Sequence, residues 1–103
     1  MYHEEHQELF YVYILTNKNH STLYIGFTAN LKRRLIQHRS KSNKGFTSRY
    51  NVHKLVYFET FKYPHEAIKR EKQLKKWNRE WKFNLINANN PSWEDWSWRI
   101  KSA

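Results

Sequence analysis

Five polar side chains have types and spacings suited to phosphodiester hydrolysis. Tyr13 and Tyr24 lie eleven residues apart, Arg34 and His38 lie four residues apart, and Glu71 is a more distant carboxylate. Hydrolysis of a phosphodiester needs an activated water, a cationic group that neutralises the crowded phosphate, and commonly a divalent cation held by a carboxylate. These five residues together offer each of those parts.

The base that activates the water could, at this point, be either a histidine or a tyrosine. An ordinary histidine has a pKa of about 6.5 and an ordinary tyrosine a pKa of about 10, so His38 is better matched to neutral pH than either tyrosine. Arg34 offers a fixed fork of donors to non-bridging phosphate oxygens. Glu71 offers oxygen ligands to Mg²⁺ or Mn²⁺.

The tyrosines fall in two short aromatic and β-branched runs, residues 10–15 and 23–27, which predict a β-hairpin around a turn at residues 16–21. A symmetric loop opposes Tyr13 with Tyr24 and Tyr11 with Gly26, and the period of two puts all four on one face. Gly26 then leaves room for a ring or for a ligand backbone. The other face is apolar and suited to packing under a helix: Phe10, Val12, Ile14, Leu23, Ile25 and Phe27.

A helix is predicted from a cap at Thr28 or Asn30 through about Arg39, with Leu31 and Leu35 as its buried seam. Arg34 and His38 share one stripe of this helix. Residues 40–50 follow as a polar, basic loop that could lie along a phosphate backbone.

A third strand is predicted at residues 55–61, and Pro64 begins a second helical region. A break near Trp77-Asn78 would divide that region into two helices, and the pattern does not decide this. Glu71 lies within the apolar stripe, where a carboxylate needs a cation or metal partner. The apolar stripe is Ala67, Leu74, Trp77, Trp81 and Leu85, and the basic side is Lys69, Lys72, Lys76 and Arg79.

Length and composition indicate one domain over residues 1–103, with a core at about 9–90 and an aromatic tail at 91–103 that we expect to fold back over the helices. The chain has no cysteine, which excludes disulfides and thiolate zinc sites. No apolar run approaches the ~18 residues of a membrane span, and the N-terminus is polar, so we expect a cytoplasmic protein.

Charge indicates a nucleic-acid partner. The formal net charge is +10, and residues 12–93 hold 17 lysines and arginines against four acids. Such a surface attracts polyanions through phosphate contacts and counterion release. A merely solvated basic face is the alternative, and an aromatic tail with Trp93, Trp96 and Trp98 could either stack on bases or pack.

The order and spacing of several motifs resemble the GIY-YIG nuclease superfamily, over about residues 9–98. The resemblance is strongest to its small standalone bacterial branch, which is related to the N-terminal nuclease module of the excision-repair nuclease (excinuclease). One departure is Tyr11-Val12, which stands where glycine and isoleucine would be. The matching motifs are Tyr13, Tyr24-Ile25-Gly26-x-Thr28, Leu31-x-x-Arg34-x-x-x-His38 and the run from Arg70 to Trp77.

This resemblance implies an α+β fold with a three-stranded antiparallel sheet flanked by helices. It also implies a metal-dependent endonuclease acting on DNA rather than RNA, and on branched or damaged repair intermediates. The implied catalytic residues are Tyr13, Tyr24, Arg34, His38 and Glu71, with one Mg²⁺ or Mn²⁺ on Glu71. By this analogy we assign water activation to Tyr13, with Tyr24 and His38 positioning it or relaying its proton.

Other residues are expected to hold the substrate, and an asparagine after the glutamate helix is frequent in the superfamily. Asn84, Asn87, Asn89 and Asn90 compete for that role, and we choose Asn90. A rival hypothesis is a non-catalytic nucleic-acid-binding module, in which Arg34 and Glu71 form an ordinary buried ion pair. A domain this small could also need a protein partner for targeting. The predicted substrate-binding set is Gly26, Lys32, Arg33, Lys44, Arg49, Lys72 and Asn90.

Overall fold

A computed structural model describes residues 8–40 and 50–100 and shows a three-stranded antiparallel sheet with helices on both faces. The strand order is β2-β1-β3, so β1 is central. The predicted α+β class is therefore confirmed. The elements are β1 Phe10–Thr16, β2 Leu23–Thr28, α1 Leu31–Arg39, β3 Lys54–Phe61, α2 Pro64–Lys76, α3 Arg79–Asn89 and a short 3-10 helix at Trp96–Arg99.

The predicted apolar face of the hairpin packs under α2 and α3. Val12 and Ile14 of β1 are fully buried against Leu74 of α2 and Ile86 of α3, and Ile25 of β2 joins the same cluster. Burial of these aliphatic side chains is the main source of stability on this side of the sheet. None of the helices within residues 8–40 and 50–100 is both long and apolar enough to cross a membrane.

On the other face, α1 packs by Leu31 and Leu35, which are 1% and 4% exposed. Asn30 is the cap, because its side chain accepts a hydrogen bond from the Arg33 backbone N–H at 3.0 Å. The predicted seam is confirmed, and it fixes which stripe of α1 faces the sheet. That stripe brings His38 down onto β1 and β2, where it is also buried.

The hairpin register predicted from a symmetric loop is wrong by two residues. Tyr13 pairs with Gly26 rather than with Tyr24. The turn starts one residue later than expected, because Thr16 belongs to β1 and its hydroxyl donates to the Thr22 carbonyl at 2.9 Å. The Asn17 side chain then closes the turn by accepting from the backbone N–H of Thr22 at 3.2 Å. A shift of two keeps every side chain on its predicted face.

The helical region after Pro64 is two helices, with the break at Trp77-Asn78. The Asn78 side chain caps α3 by accepting from the Trp81 backbone N–H at 2.8 Å. This break changes the phase of the helical wheel, so the prediction that Trp81 continues the buried stripe is wrong: it is 54% exposed. The buried side of α3 is instead formed by Ile86 with the partly buried Phe83.

The aromatic tail folds back onto the sheet and onto the end of α1 as well as onto the helices. Trp96 packs edge-on against Phe58 of β3, with ring centroids 6.1 Å apart. Arg39 at the end of α1 forms an ion pair with Asp95 at 3.2 Å. Trp93 contacts Phe83 of α3 at 5.0 Å between centroids. The tail therefore completes the domain over two layers, whereas the sequence predicted packing on the helices alone.

Candidate active site

Tyr13 is the centre of a cluster formed by β1, β2 and α1. Its side chain is 1% exposed, and its hydroxyl lies 2.9 Å from Nε2 of His38. The Tyr24 ring lies 6.2 Å from the Tyr13 ring and 5.1 Å from the His38 ring, between centroids. Three of the predicted catalytic side chains are therefore in mutual contact at the buried end of α1.

Gly26 makes room for the Tyr13 ring. A Cβ atom placed on Gly26 would lie 2.5 Å from the ring carbon Cζ of Tyr13 and 2.9 Å from Cε1, closer than real Cβ contacts. The sequence left a ring or a ligand backbone as alternatives at this glycine, and the structure fills the space with a ring. That ring belongs to Tyr13 and not to Tyr11, because the hairpin register is shifted by two residues.

Two opposite charges act on the Tyr13 hydroxyl from different helices. Burial raises the pKa of Tyr13 well above its ordinary value, and the neighbouring Tyr24 raises it further. Arg34 of α1 lowers the pKa of the same hydroxyl, and Glu71 of α2 raises it. Both charged groups are therefore near enough to act on this phenol. Tyr13, Tyr24 and His38 are therefore in contact, Arg34 and Glu71 influence the pKa of Tyr13 through their charges, and Tyr13 carries its proton at neutral pH.

His38 is neutral at physiological pH. Burial is the main cause that lowers its pKa to about 4, and the positive charge of Arg34 adds to this effect. The expectation that His38 has a pKa matched to neutral pH is therefore wrong, since it assumes a solvated imidazole. A neutral ring with two distinct nitrogens can still bond to the Tyr13 hydroxyl, either as donor or as acceptor.

Arg34 points its charge towards a solvent-filled cleft. It is half-buried, and it lines a cleft of 230 Å³ with Asn30, Arg33 and Gln37 of the same helix region. Within residues 8–40 and 50–100, no carboxylate lies at ion-pair distance from Arg34. The structure therefore does not show the buried Arg34–Glu71 pair that was the alternative to a catalytic role.

Glu71 is paired with a cation of its own helix. Its Oε2 atom lies 2.9 Å from Nζ of Lys75, and the two side chains are 18% and 54% exposed. We did not predict from the sequence that Lys75 pairs with Glu71, although the i, i+4 spacing of a glutamate and a lysine indicates such a pair. The carboxylate in the apolar stripe therefore has the cationic partner that its position requires.

A metal ion at Glu71 would have one protein carboxylate. The described part of the chain holds no group of three or more His, Asp or Glu side chains arranged for a metal. A single carboxylate with waters and substrate oxygens is nevertheless the usual arrangement for Mg²⁺ in phosphate-processing sites. The donor set around Glu71 therefore fits a hard divalent cation that is shared with substrate, and does not fit an all-protein site.

The structure does not support a substrate-binding role for Asn90. This residue is 4% exposed, and its amide nitrogen donates to the carbonyls of Val56 and Glu94, each at 3.0 Å. Its side-chain oxygen accepts from the Glu94 backbone N–H at 3.1 Å. Asn90 is corrected to a structural residue that ends α3 and holds the following turn. Asn87 is also engaged, because its oxygen accepts from Nε1 of Trp93 at 2.6 Å.

The cationic substrate-binding candidates that the structure describes lie on two helices. Lys32 and Arg33 are exposed on α1, and Arg33 lines the cleft beside Arg34. Lys72 is exposed on α2 next to Glu71 in sequence. Lys44 and Arg49, with the rest of the predicted phosphate-contacting loop, lie outside the described residues. Lys32, Arg33 and Lys72 therefore stay candidates for phosphate contacts.

Comparisons with known proteins agree with this geometry. The sequence model of the GIY-YIG catalytic domain matches residues 9–84. The UPF0213 protein CPE1444 of Clostridium perfringens is 42% identical over 78 residues, which is 76% of this chain and 83% of that protein. A UPF0213 protein of Syntrophus aciditrophicus is 40% identical over 80 residues, which is 77% of this chain and 91% of that protein.

A solved structure gives the same answer at the level of the fold. The solution NMR structure of the UPF0213 protein BH0048 from Bacillus halodurans superimposes with a TM-score of 0.55 and 29% identity, covering 84% of this chain and 92% of that one. The matched region contains the strands and helices that carry Tyr13, Tyr24, Arg34, His38 and Glu71. The chain therefore belongs to the GIY-YIG family, whose catalytic domain has a nuclease-type fold.

Proposed function

We propose that this protein is a divalent-metal-dependent endonuclease that hydrolyses phosphodiester bonds of DNA, including branched or damaged repair intermediates. One observation carries the proposal. Arg34 lies one helical turn before His38, which bonds to the buried Tyr13 hydroxyl, and Glu71 pairs with Lys75 rather than with Arg34. Oppositely charged groups that are held near one centre without neutralising each other are available to an anion and a cation respectively.

Arg34 would bind the scissile phosphate. Its planar guanidinium can donate two parallel hydrogen bonds to non-bridging oxygens. The negative charge on those oxygens increases as the attacking oxygen approaches, so a fixed donor stabilises the transition state more than the ground state. Lys32, Arg33 and Lys72, with the sequence candidates Lys44 and Arg49, would hold the flanking phosphates, which is a salt-sensitive interaction.

Glu71 would hold the metal. A Mg²⁺ or Mn²⁺ ion there, with waters and substrate oxygens as its other ligands, would polarise the phosphate and assist the leaving oxygen. The Lys75 ammonium at 2.9 Å shows that positive charge is favourable at this carboxylate. Because Lys75 is 54% exposed, its ammonium can turn into solvent and leave the carboxylate oxygens accessible.

Tyr13 would position the water and, once its own phenol proton has been relayed to solvent through His38 and Tyr24, accept the proton of that water. Its hydroxyl is bonded to His38, and Tyr24 is close to both rings. Since Glu71 raises the pKa of Tyr13, neutralising the charge of Glu71 favours the phenolate. Neutral His38 then orients that oxygen. Metal-dependent cleavage that survives in Tyr13→Phe would disprove this assignment.

The test is a cleavage assay on labelled branched, single-stranded and duplex DNA with Mg²⁺ or Mn²⁺. We expect Glu71→Gln and Arg34→Ala to lower the single-turnover rate by about 10² to 10³-fold, by analogy with the loss of other preorganised charge-stabilising groups. The matched control is Glu66→Gln, which changes an exposed carboxylate on the same helix as Glu71. This control should cleave at the wild-type rate.

The opposite results are equally informative. Salt-dependent binding with no cleavage by any variant would support the non-catalytic nucleic-acid-binding module instead. Cleavage of matched RNA but not of DNA would overturn the DNA assignment. Equal rates in the wild type and Glu71→Gln would remove Glu71 from the mechanism.

A further inference from the structure

The outer side of α3 carries a tryptophan that the core does not use. Trp81 is 54% exposed, and its ring meets the ring of Trp77 edge-on, with centroids 5.8 Å apart. The two rings line a shallow cleft of 300 Å³ together with Asn84 and Leu85. A large aromatic surface left in water is a common mark of a binding site.

The Trp77 ring is held in place from the other side. The Arg70 guanidinium lies over it, 5.2 Å from the ring centroid, and Arg70 is itself fixed by Glu59 at 2.9 Å. Trp77 is thus anchored to the sheet through α2. It meets Trp81 edge-on, and about half of the Trp81 side chain is exposed to solvent. Trp81 is therefore a preorganised aromatic surface.

A second cleft, of 330 Å³, lies beside the edge strand β2. It is lined by Lys75 and Lys82 and includes Tyr24 of the catalytic cluster. Lys75 also contacts the carboxylate of Glu71. Trp81 of the first cleft and Lys82 of the second are consecutive residues near the start of α3.

We propose that these two clefts bind unpaired nucleotides of the substrate next to the scissile phosphate, with a base stacked on Trp81 and phosphates at Lys75 and Lys82. This inference rests on the proposed function and names a feature of its substrate. The occupant is a nucleic-acid strand because the cleft offers two ammonium groups and the chain carries a net charge of +10. Every base has a π-face, so stacking of this kind tolerates any sequence.

The main test measures binding alone, in a Glu71→Gln background and without metal, to a short fluorescent oligodeoxynucleotide. We expect Trp81→Ala to weaken binding about tenfold, as loss of one base-stacking ring does elsewhere. Trp81→Phe should retain most of the affinity. The matched control is Trp98→Ala, because Trp98 is 69% exposed on the 3-10 helix and lies in neither cleft. This control should bind like its parent.

A second measurement assigns the effect to stacking. Each base of the oligonucleotide is removed in turn to leave an abasic site. At one position, loss of the base should weaken binding to the protein that retains Trp81. The same loss should leave the affinity of the Trp81→Ala variant unchanged. Replacing Lys82 by glutamine should reduce the dependence of log affinity on log salt by about 0.7, the value for one phosphate contact on a single strand.

Several results would overturn the inference. These are unchanged affinity in Trp81→Ala, equal losses in Trp81→Ala and Trp98→Ala, or an equal loss on fully duplex DNA. Sedimentation that shows a wild-type dimer, and a monomer in Trp81→Ala, with no abasic-site effect, would instead identify a surface for a second copy. Because the assay needs no cleavage, tight Trp81-dependent binding by a wild type that never cuts would disprove the nuclease and keep the strand-binding surface.

Discussion

Two groups of side chains in this domain each contain a tyrosine, an arginine and a glutamate, but the charged side chains pair differently in the two groups. The first joins Tyr57, Glu59 and Arg70 where β3 meets α2. The Tyr57 hydroxyl donates to Oε2 of Glu59 at 2.5 Å, and Arg70 donates to both carboxylate oxygens, each at 2.9 Å. Its positive and negative charges therefore neutralise each other by a bidentate pair.

The second group contains Tyr13, Arg34 and Glu71. Here the arginine lies on α1 and the glutamate on α2, and the glutamate pairs with Lys75. Burial raises the pKa of Tyr13 as it raises the pKa of Tyr57, so a buried tyrosine with a raised pKa does not by itself identify a catalytic centre. The difference lies in whether arginine and carboxylate bond to each other. We call the first group closed, because its arginine and carboxylate bond to each other, and the second group open, because they do not. The closed group contributes stability, whereas the charges of the open group can interact with a ligand.

The largest expected effect comes from exchanging glutamate for glutamine in each group. Glu59→Gln should lower the free energy of unfolding by about 2 kcal/mol, because the partly buried Arg70 and the Tyr57 hydroxyl lose a charged acceptor. Glu71→Gln should cost about 0.5 kcal/mol or less, since its pair is a helical i, i+4 pair with an exposed lysine. Urea denaturation measures both. Equal losses in the two variants would show that the groups do not differ as described.

A smaller effect is expected from Gly26→Ala, which disturbs only the open group. The added methyl would overlap the Tyr13 ring, and relieving such overpacking costs about 1.5 kcal/mol. A double-mutant cycle gives the control, because Tyr13→Leu removes the hydroxyl and the two ring carbons that the methyl would meet. Gly26→Ala should therefore cost little in the Tyr13→Leu background. A cost that is the same in both backgrounds would place the strain elsewhere.

A further contrast is a pH dependence of stability at His38, which bonds to Tyr13 of the open group. The unfolded chain binds a proton at His38 with an ordinary pKa near ~6.5, whereas the pKa in the folded state is about 4. The unfolded state binds more protons between these values, so stability should fall as the pH is lowered through that interval. Tyr57 has a raised pKa and does not titrate there.

Urea denaturation at several pH values measures this contribution. His38→Asn should show a shallower loss of stability between neutral pH and about pH 4 than the wild type. The control His65→Asn changes an exposed histidine at the start of α2 and should keep the wild-type slope. Parallel slopes in all three proteins would show that His38 is not held neutral by the cluster.

The sequence was informative wherever a periodic pattern decides the structure. Alternation in the strands identified both faces of the hairpin, and the spacing of Leu31 and Leu35 identified the seam of α1. Those two results placed Tyr13, Tyr24 and His38 on a common side, so the three contacts among them follow from local patterns. The family resemblance supplied Arg34 and Glu71 as their charged neighbours.

Side-chain bonds in turns were not predictable from such patterns. The register depended on the hydrogen bonds of Thr16 and Asn17, so the contact between Gly26 and Tyr13 was missed. The exposure of Trp81 depended on where Asn78 caps α3, since a continuous wheel buries that residue. The Glu59–Arg70 pair joins residues eleven positions apart in different elements, and no periodicity links a strand position to a helix position.

The break at Trp77-Asn78 has a consequence for how this domain could diversify. Glu71 lies on one side of the break, in a helix anchored to the sheet by Arg70, and Trp81 lies on the other. Substitutions on the outer side of α3 can therefore accumulate during evolution without moving the carboxylate in α2. If the proposed function holds, a lineage could change the nucleic-acid structure that it prefers while Glu71 stays in place. Asn78, which caps α3, is the residue that separates the helix that carries Glu71 from the helix that carries Trp81.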